Sequence, residues 1–312
     1  DGLSRIFDPQ QMTVSGRWFL HFASYFNGFT QMPAVIGLFS VLFLALAAAL
    51  AVSLLGIRSR ALSALSGALM AAFPAVGYTF LYLFTASAYC FAIFLAVLSV
   101  SLARRGRWHW LAGCLLLACS MGTYQAYVTV AIGLSLLVIF RETLDPSASF
   151  SATLRLGVRL MLFLAAGAVL YYGILLVFLQ VKDLELLSYL GMDAASSGYP
   201  FSRLPGLLLD TYKQVAAFFF LPGSANTFTS GWMAVLDLAA LALGGGCFLL
   251  CMGQEGLWRA RWRPLGGLAM LALLPLGINF GQILSPWSAP TPLMKYAFVL
   301  VYLAVVLLAD RA

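Results

Sequence analysis

The chain has few charged residues for its length. It carries 18 Lys and Arg and 11 Asp and Glu among 312 residues, so that 9% of its residues are charged whereas 62% are hydrophobic. A soluble domain has about 25% charged residues, because a polar surface has to cover its core. The scarcity of charge therefore excludes a soluble enzyme, and the abundance of apolar and aromatic side chains excludes a disordered chain. Lipid is the solvent for most of this protein.

The sequence also lacks the common motifs of cofactor-dependent and metal-dependent enzymes. It contains two histidines, His21 and His109, and its five cysteines lie in apolar stretches without a C-x-x-C pair. It has no glycine-rich phosphate loop, no dinucleotide-binding fingerprint and no H-E-x-x-H helix. These absences disfavour nucleotide binding, histidine-based metal chemistry and a serine triad. The net charge of +7 comes without a basic stripe that alternates with aromatics, so no nucleic-acid partner is expected.

Long apolar runs predict an all-α polytopic transmembrane helical bundle, a single domain over residues 1–312. A spanning helix needs about 20 apolar residues. Seven runs of that kind predict full spans, at residues 32–57, 61–83, 86–102, 156–179, 232–252, 265–281 and 293–309. An eighth stretch, 110–140, is too long for one upright helix and too short for two full spans. The polar Gly122-Thr123-Tyr124-Gln125 near its middle predicts a hairpin of two short helices, because a turn within a membrane has to be covered by protein or water.

The distribution of basic residues orients these spans. Cytoplasmic loops carry an excess of Lys and Arg. If residues 1–31 face outward, the inner side receives 12 of the 18 basic residues, namely Arg58, Arg60, Arg104, Arg105, Arg107, Arg141, Arg155, Arg159, Arg259, Arg261, Arg263 and Arg311. The outer side keeps Arg5, Arg17, Lys182, Arg203, Lys213 and Lys295. The inner connections are short, so a site is expected on the outer, extracytoplasmic side.

The spans form two groups, at residues 32–179 and 232–312. Two outer segments, residues 1–31 before the first group and 180–231 between the groups, are long enough to shape a site. In the first, polar residues recur at helical spacing opposite an aromatic face made of Trp18, Phe22, Tyr25, Phe26 and Phe29. This pattern predicts an interfacial helix whose aromatic face lies in lipid. In the second segment, an amphipathic run over 206–221 is too short to span and is also expected to lie on the membrane surface.

The N-terminal segment carries a motif with a chemical interpretation. Asp1 is followed four residues later by Arg5, and Ser15-Gly16-Arg17-Trp18 comes after them. A carboxylate near an arginine, just outside a membrane, can take a proton from a hydroxyl while the cation holds a phosphate. A solvated loop is the alternative interpretation. Together with Gly122-Thr123-Tyr124-Gln125-Ala126, the D-x-x-x-R and G-R-W motifs resemble the polytopic glucosyltransferase II family, which includes the bacterial O-antigen glucosyltransferases.

The resemblance implies a GT-C-like membrane architecture and a glycosyltransferase. It implies a polyprenyl-phosphate sugar as the donor, glucose as the sugar and a surface glycan such as O-antigen as the acceptor. It also implies a bacterial inner membrane, with the active site facing the periplasm or the exterior. In that family a pair of aspartates follows the first membrane helix, so Asp1 corresponds to the second aspartate, and a first span is expected upstream of this chain. No cofactor is implied with certainty, and a divalent cation stays open.

Glycosyl transfer from a lipid phosphate needs a base for the acceptor hydroxyl and cations for the departing phosphate. Asp1, or its upstream neighbour, is the expected base. Arg5 and Arg17 are the expected phosphate ligands, because arginine binds phosphate with two parallel hydrogen bonds. Lys295, at the outer end of the last span, is a third cation, with extension of its amine to the lipid headgroups as the alternative.

Four further positions complete the candidate site. Tyr124 and Gln125 are expected to bind the sugar or the lipid phosphate, or else to cap two helix ends. Asp237 is the acidic residue that lies well inside a span, so a functional or a partnered role is expected. His21 is included because it shares the polar face of the first segment, although a structural role is the alternative. The acidic residues that could add a carboxylate or bind a cation, or form only loop charge, are Asp183, Glu185, Asp193 and Asp210.

The alternative function is a transporter or flippase of a lipid-linked or anionic solute. Transporters place ionisable residues and broken helices near the middle of the bilayer, often in repeated halves. The sequence shows no repeat, and its polar residues gather outside the spans. A pocket centred on Asp237 would favour transport, whereas convergence of Asp1, Arg5, Arg17 and Gln125 would favour the transferase. A non-catalytic scaffold would not require such long polar outer segments.

Overall fold

The computed structural model describes residues 9–27, 32–186, 201–223, 229–254, 256–285 and 291–312. Over these residues the chain is all-helical and contains no β-strand, which confirms the predicted fold class. The α-helices are α1 (Pro9–Val14), α2 (Leu20–Ala23), α3 (Pro33–Leu55), α4 (Arg60–Ala72), α5 (Pro74–Leu81), α6 (Leu83–Ala103), α7 (Arg107–Thr123), α8 (Val128–Thr143), α9 (Phe150–Val181), α10 (Leu204–Phe220), α11 (Gly231–Gln254), α12 (Trp262–Ile278), α13 (Phe280–Leu284) and α14 (Val299–Arg311). Short 3₁₀ helices lie at Ser24–Asn27, Gln125–Tyr127, Phe201–Arg203, Leu257–Arg259 and Pro292–Phe298.

Seven helical segments in the described part of the chain are long and apolar enough to cross a membrane. They are Pro33–Leu55, Arg60–Leu81, Leu83–Ala103, Gln125–Thr143, Phe150–Val181, Gly231–Gln254 and Pro292–Arg311. Six of them coincide with predicted spans. The segment Arg60–Leu81 is broken between α4 and α5 at Phe73, because Pro74 has no backbone N–H and disfavours the helical conformation of the residue before it.

Two predictions about the spans are refined. The predicted span at 265–281 is divided between α12, which begins three residues earlier, and the short α13, which follows directly after Asn279. Between them, the Asn279 side-chain amide donates to the Gln214 side chain of α10 at 3.1 Å. The predicted hairpin is present as α7 and α8, but its second half is not short, because the 3₁₀ turn Gln125–Tyr127 extends α8 to a full span of 19 residues.

Arginine side chains join the helix ends at one face of the bundle, which we name the arginine-rich face. Arg141 donates to the Leu54 carbonyl oxygen of α3 at 3.0 Å, and Arg159 donates to the Ala103 carbonyl oxygen of α6 at 2.7 Å. Arg104 forms an ion pair with Glu142 at 3.2 Å. These contacts bring the ends of α3, α6, α8 and α9 together, as expected if the predicted inner loops share one side of a membrane.

The loop between α8 and α9 is fixed at the same face. Arg263 at the start of α12 donates to the carbonyl oxygens of Asp145, Pro146 and Ala148. Within this loop the hydroxyl and the backbone N–H of Ser147 donate to the Asp145 carboxylate at 2.7 and 2.9 Å. Both hydrogen bonds lower the pKa of that carboxyl group below its ordinary value. The loop is therefore held by hydrogen bonds to carbonyl and carboxylate oxygens.

The interior of the bundle is formed by α6, α8 and the last span. In the most apolar 18-residue stretch of α6 and of Pro292–Arg311, 72% of the residues are buried, whereas 28% are buried in the corresponding stretch of α9. The helix α9 therefore has most of its surface on the outside of the bundle, where lipid covers apolar side chains. Its far end, which carries Tyr171 and Phe178, packs against the N-terminal segment and helps to position the candidate site.

Candidate functional site

The turn of the α7–α8 hairpin lies against the N-terminal segment. The Gln125 side-chain amide donates to the Ser15 carbonyl oxygen at 2.8 Å and to the Tyr171 hydroxyl oxygen at 3.1 Å. The Tyr171 hydroxyl in turn donates to the Gly16 carbonyl oxygen at 3.0 Å. Since α7 has 17 residues and rises about 1.5 Å per residue, this turn lies about 25 Å from the arginine-rich face. The polar residues of the hairpin therefore meet the N-terminal segment at the opposite face.

Two glycines permit this close approach. Gly16 has φ +78, and a Cβ atom there would lie 2.3 Å from the Gln125 amide nitrogen. A Cβ atom on Gly122 would lie 2.6 Å from the Trp18 ring, and the Gly122 carbonyl oxygen accepts from the Phe19 backbone N–H at 2.8 Å. Any other residue at either position would separate the two segments, so both glycines of the G-R-W and G-T-Y-Q motifs are explained by packing.

The predicted interfacial helix, over residues 17–29, is only partly formed in the described part of the segment. The helix α1 ends before a turn at Gly16, and the predicted stretch contains the short α2 followed by the 3₁₀ helix Ser24–Asn27. Trp18 does not lie in lipid but is buried, and its ring stacks on Phe178 with centroids 5.8 Å apart. Phe22 and Tyr25 are exposed, as predicted. Long-range contacts to α9 therefore override the local amphipathic pattern.

Three of the candidate site residues, Arg17, Tyr124 and Gln125, lie close together. The guanidinium carbon of Arg17 lies 5.2 Å from the centre of the Tyr124 ring, a cation–π contact. Arg17 is half-buried, whereas Tyr124 is buried. The residue next to Tyr124 in the chain is Gln125, which binds Ser15 and Tyr171. One arginine and one amide thus converge at the hairpin turn.

A layer of tyrosine rings extends from this point into the bundle. The ring centroid of Tyr124 lies 4.8 Å from that of Tyr89 and 5.3 Å from that of Tyr127. The ring centroid of Tyr127 lies 6.5 Å from that of Tyr296 on the last span. Lys295, which precedes Tyr296 in the chain, is buried. The Lys295 amine lies 5.8 Å from the Phe218 ring of α10, so this side chain is directed into the protein rather than extended to the headgroups. The tyrosine layer therefore connects the regions of Arg17 and Lys295.

The sequence did not single out Tyr171, Tyr127 or Tyr296. Their positions in the sequence nevertheless indicate polar contacts, because a tyrosine inside an apolar span has to place its hydroxyl near a polar partner. Tyr171 meets this need at Gly16 and Gln125, and Tyr296 donates to the Met70 carbonyl oxygen at 3.0 Å.

The candidate residue His21 and the outer basic residue Lys182 lie at the edges of this region. The His21 ring on α2 makes edge contacts with the rings of Phe22 and Tyr25, with centroids 5.8 and 5.7 Å away. Lys182 at the end of α9 donates to the Thr13 hydroxyl at 3.3 Å and so holds α1 against α9. Asp1 and Arg5, the predicted base and one predicted phosphate ligand, lie outside the described residues.

Asp237 has the partnered role that was the alternative to a functional one. Its carboxylate accepts a hydrogen bond of 2.6 Å from the Tyr302 hydroxyl, which links α11 to α14. The cavity beside it has a volume of about 10 Å³. This is the space that one water molecule needs. Within the described residues, then, no solute-sized pocket surrounds Asp237, and the geometry gives no support to transport through it.

The other predicted acidic residues are dispersed. Asp183 and Glu185 are exposed, Asp210 pairs with Lys213 at 3.4 Å, and Asp193 lies outside the described residues. Over the described ranges, no group of three or more His, Cys, Asp or Glu side chains stands close enough to hold a metal ion.

The side chains around the tyrosine layer include two that are suited to binding an anion. Arg17 and Lys295 are cations at two edges of an aromatic layer. A guanidinium binds phosphate oxygens in a fixed fork. The rings of Tyr124, Tyr127 and Tyr296 are buried against one another, so they form the packing of the layer and leave its cations as the candidate ligand-binding groups. The region is therefore suited to an anion.

No curated protein and no solved structure matches the chain. The family model for glucosyl transferase GtrII matches residues 1–308, which include the G-R-W motif, the hairpin turn and Lys295. The match confirms the resemblance, and with the seven apolar helices it establishes that the chain is a membrane-embedded member of the glucosyl transferase GtrII family.

Proposed function

We propose that the protein transfers glucose from a polyprenyl-phosphate donor to a surface glycan of the O-antigen class. The observation that carries the proposal is the contact of the N-terminal segment with the hairpin turn, which places Arg17 over Tyr124 and beside Gln125. A donor that is itself a membrane lipid reaches such a site from the bilayer. The absence of a nucleotide-binding loop in the sequence supports the same class of donor.

The transfer is proposed as a single displacement. The acceptor hydroxyl oxygen attacks the anomeric carbon, the bond from that carbon to the phosphate oxygen breaks, and the hydroxyl proton passes to the carboxylate of Asp1. Arg17, Arg5 and Lys295 stabilise the negative charge that the phosphate gains as it leaves. One displacement inverts the anomeric centre, so a product with the anomeric configuration of the donor would contradict this course.

The site is proposed to face away from the cytoplasm of a bacterial inner membrane. The hairpin turn and the arginine-rich face lie at opposite ends of α7 and α8. Because arginine-rich connections stay in the cytoplasm, the turn and the N-terminal segment would meet the periplasm or the exterior. There a sugar carried on a lipid phosphate is available, whereas nucleotide sugars are scarce.

The test is reconstitution of the full-length protein in liposomes with radiolabelled donors. Label is expected to pass to the glycan from polyprenyl-phosphate glucose and not from UDP-glucose. Asp1→Asn is expected to lower the rate by about 10²-fold or more, because it removes a general base. Asp210→Asn, at an exposed carboxylate paired with Lys213, is the control and is expected to retain the rate. Transfer from UDP-glucose at the same rate would overturn the proposed donor, and full activity of Asp1→Asn would overturn the proposed base.

A further inference from the structure

A groove lies between α7 and α9 at the arginine-rich face, and we name it the arginine groove. Its volume is about 570 Å³. Sites for small molecules occupy about 300 to 1,000 Å³. Its lining consists of Arg107 and Trp110 from α7 with Leu154, Arg155, Val158, Arg159 and Leu162 from α9. The groove lies at the face opposite the hairpin turn, so it is separate from the proposed active site.

The arginine groove carries positive charge from three guanidinium groups. Arg159 is held in place, because its Nε donates to the Ala103 carbonyl oxygen at 2.7 Å. Arg107 and Arg155 are exposed. No Asp or Glu is among the residues that line the groove. The groove therefore presents three cationic side chains, and no carboxylate in its lining neutralises them.

The acidic groups described near this face are engaged elsewhere. Glu142 pairs with Arg104, and the Asp145 carboxylate accepts from Ser147. The Asp310 carboxylate accepts from the backbone N–H groups of Arg58 and Ser59 at 2.9 and 2.8 Å. The charge of the groove thus stays available to an anion from outside the protein.

The α9 side of the arginine groove also carries apolar side chains, which alternate with Arg155 and Arg159 along the helix. Leu154, Val158 and Leu162 follow one another at intervals of four residues and form a stripe along α9, with 55%, 43% and 55% of their surface exposed. The Trp110 ring closes the opposite side, and its indole N–H donates to the Arg159 carbonyl oxygen at 3.4 Å. An anionic head at the arginines would therefore lie beside this stripe, and an apolar tail attached to it would continue along α9 towards Leu162.

We propose that the arginine groove binds one anionic phospholipid from the leaflet that meets the arginine-rich face. Its phosphate would lie between Arg107, Arg155 and Arg159, and one acyl chain would cover the stripe of Leu154, Val158 and Leu162. Basic pockets between membrane helices on the cytoplasmic side recognise anionic headgroups by this complementarity of charge. A water-soluble anion would satisfy the arginines but would leave the apolar stripe uncovered.

The test is native mass spectrometry of the full-length protein in detergent, titrated with phosphatidylglycerol or phosphatidylcholine. We expect one phosphatidylglycerol to be retained in preference to phosphatidylcholine. The double variant Arg107→Gln/Arg155→Gln is expected to weaken this binding by about fivefold for each arginine removed. The matched control is Arg60→Gln/Arg259→Gln, which removes the same charge at exposed positions that do not line the groove. It is expected to bind as the wild type does.

A second variant separates shape from charge. Val158→Trp fills the apolar part of the groove without changing the charge, and it is expected to lose the lipid while its unfolding temperature stays within a few degrees of the wild type. Equal weakening in the groove pair and the control pair would overturn the proposal, since only general surface charge would then be at work. Displacement of the bound phosphatidylglycerol by equimolar inorganic phosphate would also overturn it.

Discussion

Gly16 occupies the closest contact between the N-terminal segment and the hairpin turn. Its φ of +78 is unfavourable for other residues, and its missing Cβ leaves room for Gln125 and Tyr171. We expect Gly16→Ala to destabilise the protein by more than about 1 kcal/mol, because it combines backbone strain with a steric clash. The loss would be measured as a lower unfolding temperature in detergent, together with a lower rate of glucose transfer.

Gly37→Ala is the matched control for this prediction. Gly37 lies inside α3, and a Cβ atom there would meet no heavy atom within 4 Å. Alanine is favoured over glycine in a helix by about 1 kcal/mol, so this variant is expected to be at least as stable as the wild type. Equal losses in the two variants would show that the contact at Gly16 is not the cause.

The Tyr171 hydroxyl links three segments, since it donates to Gly16 and accepts from Gln125. Tyr171→Phe removes this link and leaves the Gly16 carbonyl and the Gln125 amide with fewer partners. We expect a loss of about 1 to 3 kcal/mol in the free energy of unfolding. The neighbouring Tyr172 is exposed, so Tyr172→Phe serves as the control and should leave stability unchanged. An unfolding temperature of Tyr171→Phe that matches this control would contradict the assigned link.

At the scale of the elements, the Arg263 side chain connects α12 to the loop between α8 and α9. Arg263 is buried and donates to three carbonyl oxygens of that loop. Arg263→Gln is expected to cost about 1.5 to 3 kcal/mol, the range for hydrogen bonds that involve a charged group. Arg261→Gln, at an exposed position two residues earlier, is the control and is expected to keep the wild-type unfolding temperature. Similar losses in both variants would mean that charge, and not the loop contact, stabilises this face.

The elements themselves were largely predictable, because length and hydropathy decide which segments cross a membrane. The exceptions arise from single residues and distant contacts. Pro74 breaks one span, and a turn at Asn279, whose amide donates to Gln214, separates α12 from α13. The N-terminal segment was mispredicted because its amphipathic pattern is local, whereas Gln125, which binds Ser15, is 110 positions further along the chain.

At the scale of the whole molecule, the two faces of the bundle should lie on opposite sides of the membrane. Cysteine substitutions at exposed Arg105 and Glu185 can test this, because four native cysteines are buried and Cys119 is partly buried. In intact cells whose outer layers are permeable, an impermeant maleimide should label Glu185→Cys. It should label Arg105→Cys only after the membrane is opened. The reverse pattern would contradict the proposed orientation.

The candidate site was predictable only in part. The motifs identified Arg17, Tyr124 and Gln125, which lie close together. The tyrosine layer was not predicted, because its rings come from four separate helical segments, and their meeting depends on packing rather than on spacing. Pocket shape arises in the same way, so the sequence motifs do not define the sugar, the acceptor or the linkage.

In the proposed transfer, Arg17 is the central ligand of the donor phosphate. The most direct measurement is the rate of glucose transfer from polyprenyl-phosphate glucose by Arg17→Ala in liposomes, with unfolding temperatures recorded in parallel. Removal of one preorganised donor from a transition state costs about 10²- to 10³-fold in rate, and we predict a loss in that range for Arg17→Ala and a smaller loss for Arg17→Lys. Arg203→Ala, at an exposed outer arginine, should retain the wild-type rate. A folded Arg17→Ala variant that transfers glucose as fast as the wild type would contradict the account.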